Sequence, residues 1–191
     1  MTILNNSTTS NISIRIVLLL TVLSLSVPTF GQKENRSKTI DPRDLYAAFL
    51  TKLPHFITWP NTKERRKRPA LRIGIIGENV FPQHSIGLMN TQIFEGRPFR
   101  VIEIAKASEI GELDILFVGA SEEQRIEKII QATKGKSILT IAAIPRFAHR
   151  GGMINFSLRG GYSRFEINLK QVGQEKIKIS AKLLRTTIIV E

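Results

Sequence analysis

Two neighbouring segments near the end of the chain constrain the fold most, because each alternates regularly between apolar and other residues. Strand side chains change face at every residue, so each segment is expected to bury one row and to display the other. The rows expected to be buried are Ile154, Phe156 and Leu158, and Phe165, Ile167 and Leu169. The rows expected to face solvent are Met153, Asn155 and Ser157, and Arg164, Glu166 and Asn168. Arg159, Gly160 and Gly161 form a short link with the conformational freedom of a turn. The pattern predicts a β-hairpin that displays one polar face.

Upstream of this hairpin, strand-like apolar runs alternate with helix-like segments. The predicted strands cover residues 71–77, 99–104, 114–118 and 137–141. Strands that alternate with helices favour a parallel sheet, and a continuous apolar run such as 114–118 is typical of a central strand buried on both faces. We therefore predict an α/β fold: a single domain with a largely parallel central sheet flanked by helices, a C-terminal β-hairpin and a final helix.

Three predicted helices carry start signals. Asp41, followed by Pro42, is expected to cap the first, and Ser121 and Ser180 are expected to cap a central helix and the final one. Pro54 is expected to kink the first helix near its end. The residues expected on the buried faces are Leu45, Ala48, Phe49, Leu53 and Phe56, then Ile126, Ile129 and Ile130, then Leu183, Leu184 and Ile188.

Residues 1–31 are expected to be a signal peptide rather than part of the fold. Arg15 is their only charged residue, and residues 16–27 form an apolar run that is short for a spanning helix. Thr29 and Gly31 have the spacing of a cleavage site before Gln32. The alternatives are an uncleaved membrane anchor and a buried helix. We expect export to the periplasm, a flexible leader over residues 32–40, and a domain over residues 41–191.

The composition excludes several functions. The chain carries a net charge of +12, which favours acidic partners or an anionic surface, but an exported protein is not expected to bind nucleic acid. It contains no cysteine, which excludes disulfides, thiol catalysis and thiol redox sensing. The densest basic run, residues 63–69, reads as a solvated loop, with attraction to an acidic partner or to phospholipid headgroups as the alternative.

The sequence offers little catalytic chemistry. His55, His84 and His149 fall in separate segments without the spacing of a metal site. Arg164 and Glu166 share a strand face, where one alternative is that they only neutralise each other, and a single carboxylate is poor material for hydrolysis. We therefore expect a non-enzymatic protein without a metal or cofactor.

An ordered set of motifs across most of the domain resembles the YfiR family of periplasmic regulators. The resemblance extends from about residue 46 to residue 190. The matching residues are Tyr46-Ala-Ala-Phe49, Phe56, Trp59-Pro60, Ile73-Gly74 with Gly77, Gly96-Arg97-Pro98, Ile115-Leu116-Phe117-Val118-Gly119, Leu139-Thr140-Ile141, Phe147, Gly151-Gly152-Met153-Ile154 with Phe156, Arg164-Phe165-Glu166-Ile167-Asn168-Leu169, and Lys178-Ile179-Ser180-Ala181-Lys182-Leu183-Leu184.

The resemblance implies a homodimeric periplasmic repressor. Such a protein binds the periplasmic sensor portion of an inner-membrane diguanylate cyclase, YfiN-like, and lowers cyclic-di-GMP, exopolysaccharide and biofilm. It also implies release by an outer-membrane YfiB-like lipoprotein. Two departures matter: Leu113-Asp114 stands where a Cys-His pair is common in the family, and Ala142-Ala143 replaces an acidic residue. Redox control is therefore not expected here.

The resemblance also implies candidate contact residues. Glu166 is the main candidate for partner binding, and Arg164, Asn168 and Met153 accompany it.

The alternative function is a periplasmic small-molecule sensing module that signals to a membrane partner, with a ligand pocket near Trp59 and Phe56. The competing interpretation of those two aromatic residues is packing of the first helix on the sheet. A third possibility is a cryptic exported enzyme.

Overall fold

The computed structural model describes residues 41–78, 80–159 and 162–191. The predicted signal peptide (1–31) and leader (32–40) lie outside the described residues, and so do Gly160 and Gly161 of the predicted hairpin link. In the described part of the chain, no helix is both long enough and apolar enough to cross a membrane.

Short helices and strands alternate along the chain. The α-helices are α1 (Pro42–Lys52), α2 (Thr62–Arg66), α3 (Gln83–Asn90), α4 (Ile126–Thr133), α5 (Leu169–Gln174) and α6 (Ala181–Leu184). Turns of 3-10 helix cover Leu53–Phe56, Ala107–Glu109, Ala120–Arg125 and Phe147–Arg150. The strands are β1 (Ile57–Thr58), β2 (Leu71–Ile76), β3 (Ile93–Phe94), β4 (Arg97–Ile104), β5 (Ile115–Val118), β6 (Leu139–Ala142), β7 (Ile154–Arg159), β8 (Tyr162–Asn168), β9 (Lys178–Ile179) and β10 (Ile188–Val190).

One mixed sheet forms the centre of the fold. Among the described residues it has eight strands in the order β10-β8-β7-β6-β5-β2-β4-β3. The inner strands β4, β2, β5, β6 and β7 are parallel, whereas β8 runs antiparallel to β7 and β3 runs antiparallel to β4. β1 and β9 pair separately as a small antiparallel sheet. The predicted α/β fold, with its largely parallel sheet and terminal hairpin, is confirmed.

The sheet is covered on both faces, and each face has its own apolar core. One core joins α1 to the sheet and the hairpin, and the other packs α4 against the opposite face. All four residues of β5 are buried, which explains why its sequence is continuously apolar.

The first helix begins and ends for the reasons visible in its sequence. The Asp41 side chain accepts a hydrogen bond from the Arg43 backbone N–H at 2.9 Å, so the predicted cap is confirmed. The α-helix ends at Lys52, and a turn of 3-10 helix follows over Leu53–Phe56. Pro54 has no N–H to donate to the α-helical ladder, so the tighter turn replaces it.

Three predictions about helices are wrong. Leu45 and Ala48, expected on the buried face of α1, are exposed, and Ala47 and Leu50 are buried instead. Ser121 does not cap α4, because it lies within the 3-10 turn Ala120–Arg125 that precedes this helix, and its Oγ accepts instead from the Glu78 backbone N–H at 2.9 Å. Ile188 does not lie on the inner face of a final helix; it begins the edge strand β10 and is exposed. Residues 186–190 are all β-branched and favour a strand, so the last helix ends at Leu184.

The basic run 63–69 is not a fully solvated loop. It contains most of α2, and within it Arg65 is buried. The Arg65 Nη1 group donates to Asp114 Oδ1 at 2.6 Å, and its Nη2 donates to the Ser137 backbone oxygen at 3.0 Å. Asp114 therefore supplies the counter-charge that allows this arginine to be buried.

Candidate functional site

The two hairpin strands bring the main candidate residue beside a buried amide. Asn155 of β7 lies opposite Glu166 of β8, and Asn155 Nδ2 donates to Glu166 Oε2 at 2.9 Å. On the other side of β8, Ile188 lies in register with Glu166. The Glu166 side chain is half-buried between its neighbours on the adjacent strands. Its carboxylate is therefore bound by Asn155 and still keeps some accessible surface.

The prediction that one hairpin row faces solvent is only partly correct. Arg164 is exposed, but Met153 is only 4% exposed and Asn168 only 3%. Asn168 ends β8 and caps α5: its Oδ1 accepts from the Gln171 backbone N–H at 3.0 Å, and its Nδ2 donates to the Ala148 oxygen at 2.9 Å. The solvent-facing assignments of Met153, Asn155 and Asn168 are therefore wrong.

Met153 is buried because it belongs to the core on the α1 side of the sheet. Its backbone N–H donates to Thr140 Oγ1 at 3.1 Å, which fixes the start of the hairpin against β6. Of the predicted contact set, Arg164 and Glu166 are the residues that keep accessible surface.

A cleft of about 390 Å³ opens beside Glu166, where β6 ends. Its lining residues are Pro42, Tyr46, Ala143, Ile144, Pro145, Arg146, His149, Asn155, Phe156 and Glu166. Burial raises the pKa of the Tyr46 phenol, so this side chain stays neutral at physiological pH. Asn155 Oδ1 has no hydrogen-bond partner among the described residues. The cleft thus combines aromatic surface with charges of both signs, which suits recognition of a polar surface.

Helix α1 braces the hairpin through stacked aromatic rings. The rings of Phe49 and Phe165 stack with their centroids 4.2 Å apart, and Tyr46 meets Phe156 edge-on at 4.4 Å. Aromatic pairs of this kind contribute about 0.5–1.5 kcal/mol beyond the area they bury. The hairpin that carries Glu166 is therefore held against a helix on one face.

The two weaker candidates, Trp59 and Phe56, lie elsewhere in the fold. Trp59 is buried, and its Nε1 donates to the Asp114 backbone oxygen at 3.2 Å, just before β5 begins. Phe56 is half-buried, and its backbone oxygen accepts from Ser180 N–H at 2.9 Å. The Glu166 cleft lies at the carboxyl end of β6, so the structure does not bring the two sets of candidates together.

Trp59 lines a small cavity whose walls include charged residues that the sequence did not indicate, and Phe56 is not among them. The cavity has a volume of about 110 Å³, and its walls are Ile57, Thr58, Trp59, Arg65, Arg66, Phe94, Glu95, Arg97 and Asp114. The charged members were missed because residues 63–69 hold five cations, and nothing in their order says which one is buried. The one available signal was Asp114, an acidic residue at the start of an apolar strand.

Metal chemistry gains no support from the described residues, among which no group of three histidine or acidic side chains could hold an ion. The cleft beside Glu166 pairs no hydroxyl nucleophile with a base among its lining residues.

Comparison with known proteins gives a family and a fold. The family model described as YfiR/HmsC-like matches residues 43–187. Among solved structures, a conserved domain protein from Vibrio cholerae O1 biovar El Tor is similar, with a TM-score of 0.54 and 13% sequence identity. The match covers 80% of this chain and 61% of that protein, so it spans less than two thirds of the Vibrio protein's length. At this identity the likeness shows the fold alone. No curated protein matches the chain.

Proposed function

Because the chain belongs to the YfiR/HmsC-like family, we propose that it is a periplasmic repressor of an inner-membrane diguanylate cyclase. It binds the periplasmic sensor portion of a YfiN-like cyclase and so lowers cyclic-di-GMP, exopolysaccharide and biofilm. Family membership over residues 43–187 is the observation that carries the regulatory role, since it supports periplasmic regulation of diguanylate cyclase signalling in general. The protein acts by binding and not as an enzyme.

The hairpin edge beside the cleft is the proposed contact surface. It offers the half-buried Glu166 carboxylate and the exposed Arg164 on one strand, with Arg146 and His149 on the cleft wall. A partner surface that is mainly acidic, with one basic side chain for Glu166, complements this arrangement and the net charge of +12. The bracing by α1 keeps the surface pre-organised, which lowers the entropic cost of binding.

Repression across a membrane needs only a difference in affinity. If the protein binds the inactive conformation of the sensor more tightly than the active one, it shifts the balance between them. Moving that balance from 1:99 to 99:1 takes about 5.5 kcal/mol of differential binding. An interface of ordinary size, about 1,200–2,000 Å² in total, can supply this difference.

Charge reversal at Glu166 tests the contact. In cells that carry the cyclase, Glu166→Arg should relieve repression and raise cyclic-di-GMP towards the level of a deletion strain, and it should abolish co-purification of the cyclase from intact envelope. Glu109→Arg is the matched control, because this substitution changes the charge by the same amount. Glu109 is exposed and lies on a segment distant in sequence from Glu166. Unchanged cyclic-di-GMP in the Glu166→Arg strain would rule out this residue as a contact.

Two further parts of the proposal concern assembly. A YfiB-like outer-membrane lipoprotein relieves the inhibition by binding the repressor, and the repressor itself is a homodimer. Co-purification with the lipoprotein under conditions that raise cyclic-di-GMP tests the first, and light scattering of the purified protein tests the second.

A second candidate function is solute sensing, in which a bound small molecule changes the signal to a membrane partner. The observation that favours it is the cavity of about 110 Å³ beside Trp59. An adjacent cyclase gene supports repression, whereas an adjacent histidine kinase or transporter gene supports sensing.

A further inference from the structure

Arg97 is a buried cation that forms no ion pair with a carboxylate of the described residues. Its side chain is only 9% exposed, and no carboxylate of the described residues lies within ion-pair distance of its guanidinium. Its Nη1 donates to the Arg65 backbone oxygen at 2.9 Å, and its Nε has no hydrogen-bond acceptor among the described residues. Burying a charge without an ion-pair partner costs free energy, so an anion bound beside Arg97 would be stabilising.

The local fold holds Arg97 at the wall of the cavity beside Trp59. Glu95 and Gly96 form a two-residue turn between β3 and β4, both with positive φ (50° and 76°), and Phe94 pairs with Arg97 across it. Tight hairpins of this kind fix the strand that follows. Arg97 is therefore placed by the turn and by its bond to α2, and it is not free to move to the surface.

The other charges that line the cavity already have partners. Arg65 pairs with Asp114 at 2.6 Å, and Arg66 makes two hydrogen bonds with Glu95, at 2.9 and 3.0 Å. Its hydrogen bonds also hold the pKa of Glu95 below its usual range, so the carboxylate stays ionised and bound to Arg66. The described lining residues thus carry three arginines, Arg65, Arg66 and Arg97, against the two carboxylates of Glu95 and Asp114. The charge of Arg97 also helps to lower the pKa of Glu95, but Arg97 forms no ion pair, so the cavity wall has one positive charge in excess.

We propose that this cavity binds a small oxyanion of the phosphate type, with Arg97 as its main ligand. The volume of about 110 Å³ is far above the roughly 10–15 Å³ that one water molecule needs. A guanidinium is the group that binds phosphate oxygens through paired N–H donors. The proposal deepens the sensing candidate by naming a ligand class, and it does not depend on the repressor function or on Glu166.

The single tryptophan makes the test direct. Trp59 is the only tryptophan in the sequence and lines the cavity, so its fluorescence should report binding. Titration of the purified protein with inorganic phosphate, against sodium chloride at matched ionic strength, should give a saturable change with a Kd of about 1 mM or lower. Phosphate at ten times that Kd should raise the thermal unfolding midpoint by about 3–6 °C.

Variants identify the ligand residue. Arg97→Gln should abolish both the fluorescence change and the phosphate-dependent shift in midpoint, whereas Arg100→Gln, an exposed arginine on the same strand, should retain both. Arg97→Lys keeps the charge but loses the paired donors, so it should bind several-fold more weakly, and it serves where the glutamine variant does not fold. Equal responses in the wild type and in both Arg97 variants would overturn the proposal, and so would the absence of any saturable response.

The phosphate could be free in solution or part of a lipid headgroup. Sedimentation with vesicles of phosphatidylglycerol, against vesicles of phosphatidylcholine, separates these sources. Loss of vesicle binding in Arg97→Gln would identify a lipid headgroup. Unchanged vesicle binding together with a lost phosphate response would identify a free anion. Both results support the oxyanion site.

Discussion

At the scale of single residues, Asp114 ties several parts of the chain together. Its Oδ1 accepts from Arg65 at 2.6 Å, and its Oδ2 accepts from the Arg72 backbone N–H at 2.9 Å. Its backbone oxygen accepts from Trp59 at 3.2 Å and from the Leu139 N–H at 3.0 Å. One residue thereby anchors α2, β2 and β6 around the start of β5.

Asp114→Ala should be strongly destabilising. The change leaves Arg65 as a buried charge without a partner, and breaking such a pair typically costs about 3–5 kcal/mol. The measurement is the free energy of unfolding in urea. The control is Glu112→Ala: Glu112 is 70% exposed, and its ion pairs with Arg68 and Arg72 are 3.8 Å long, so the cost should stay below about 1 kcal/mol. A small effect of Asp114→Ala would contradict the role assigned to the pair.

The limits of sequence-based prediction are clearest at individual positions. The Asp41 cap could be predicted because a cap depends on residues beside it. Asn168 was misplaced because a period of two describes a strand but not its end, where this side chain turns inward to cap α5. Arg65 was missed because its burial depends on Asp114, which is 49 residues away.

At the scale of elements, α1 and the hairpin are coupled through Phe49 and Phe165. A double-mutant cycle with Phe49→Ala and Phe165→Ala should give a coupling free energy of about 0.5–1.5 kcal/mol, because these rings stack at 4.2 Å. Each single change should also destabilise, since both rings pack on the core. Strictly additive changes in unfolding free energy would show that the helix and hairpin do not stabilise each other through this stack.

Gly152 joins the 3-10 turn Phe147–Arg150 to β7 at a position without room for a side chain. A Cβ atom there would lie 2.2–2.6 Å from the Phe147 ring, which is fully buried. Gly152→Ala should therefore cost about 1–3 kcal/mol through displacement of that ring. Gly173→Ala is the control, because no atom lies within 4 Å of a Cβ there. Equal thermal midpoints for the two variants would contradict the packing argument.

The order of the larger elements could be predicted, and the small ones could not. The runs that became β2, β4, β5 and β6 are long enough to show an apolar pattern. β3 has two residues and β10 three, too few for any period, and their pairing depends on β4 and β8. The candidate contact face was predicted only in part, because the sequence shows which residues alternate but not which other elements cover each face.

At the scale of the whole molecule, stability should depend on acid in a defined way. Three carboxylates at the surface have a pKa below the ordinary value because an arginine donates a hydrogen bond to each. The pairs are Asp41 with Arg43, Glu95 with Arg66, and Glu127 with Arg150. Such groups stabilise the fold above their unfolded pKa, about 4, and this contribution is lost as the pH falls through the lower folded pKa.

Urea unfolding at several pH values tests this dependence. Between about pH 7 and pH 5 these groups should change the urea midpoint little. At pH values lower than about 4 the urea midpoint should decrease. Glu127→Gln removes one of the three pairs and should make the acid-side slope shallower. A slope identical to that of the wild type would show that the Glu127 pair with Arg150 contributes nothing to acid stability.

The response to reductant is a second property of the whole chain. No cysteine occurs in the sequence, so no disulfide can form or break. Dithiothreitol should leave the unfolding midpoint and the cyclic-di-GMP level of an otherwise identical strain unchanged. A direct response of the purified protein to dithiothreitol would contradict this expectation.

The pairing of Arg65 with Asp114 has a consequence for how this protein can diverge. Loss of either residue alone leaves a stranded charge in the interior, so a lineage that changes one position first passes through an unstable ancestor. The two sites, 49 residues apart, should therefore be inherited or replaced together. Replacement of both residues by apolar residues of similar size is the change that leaves no buried charge without a partner.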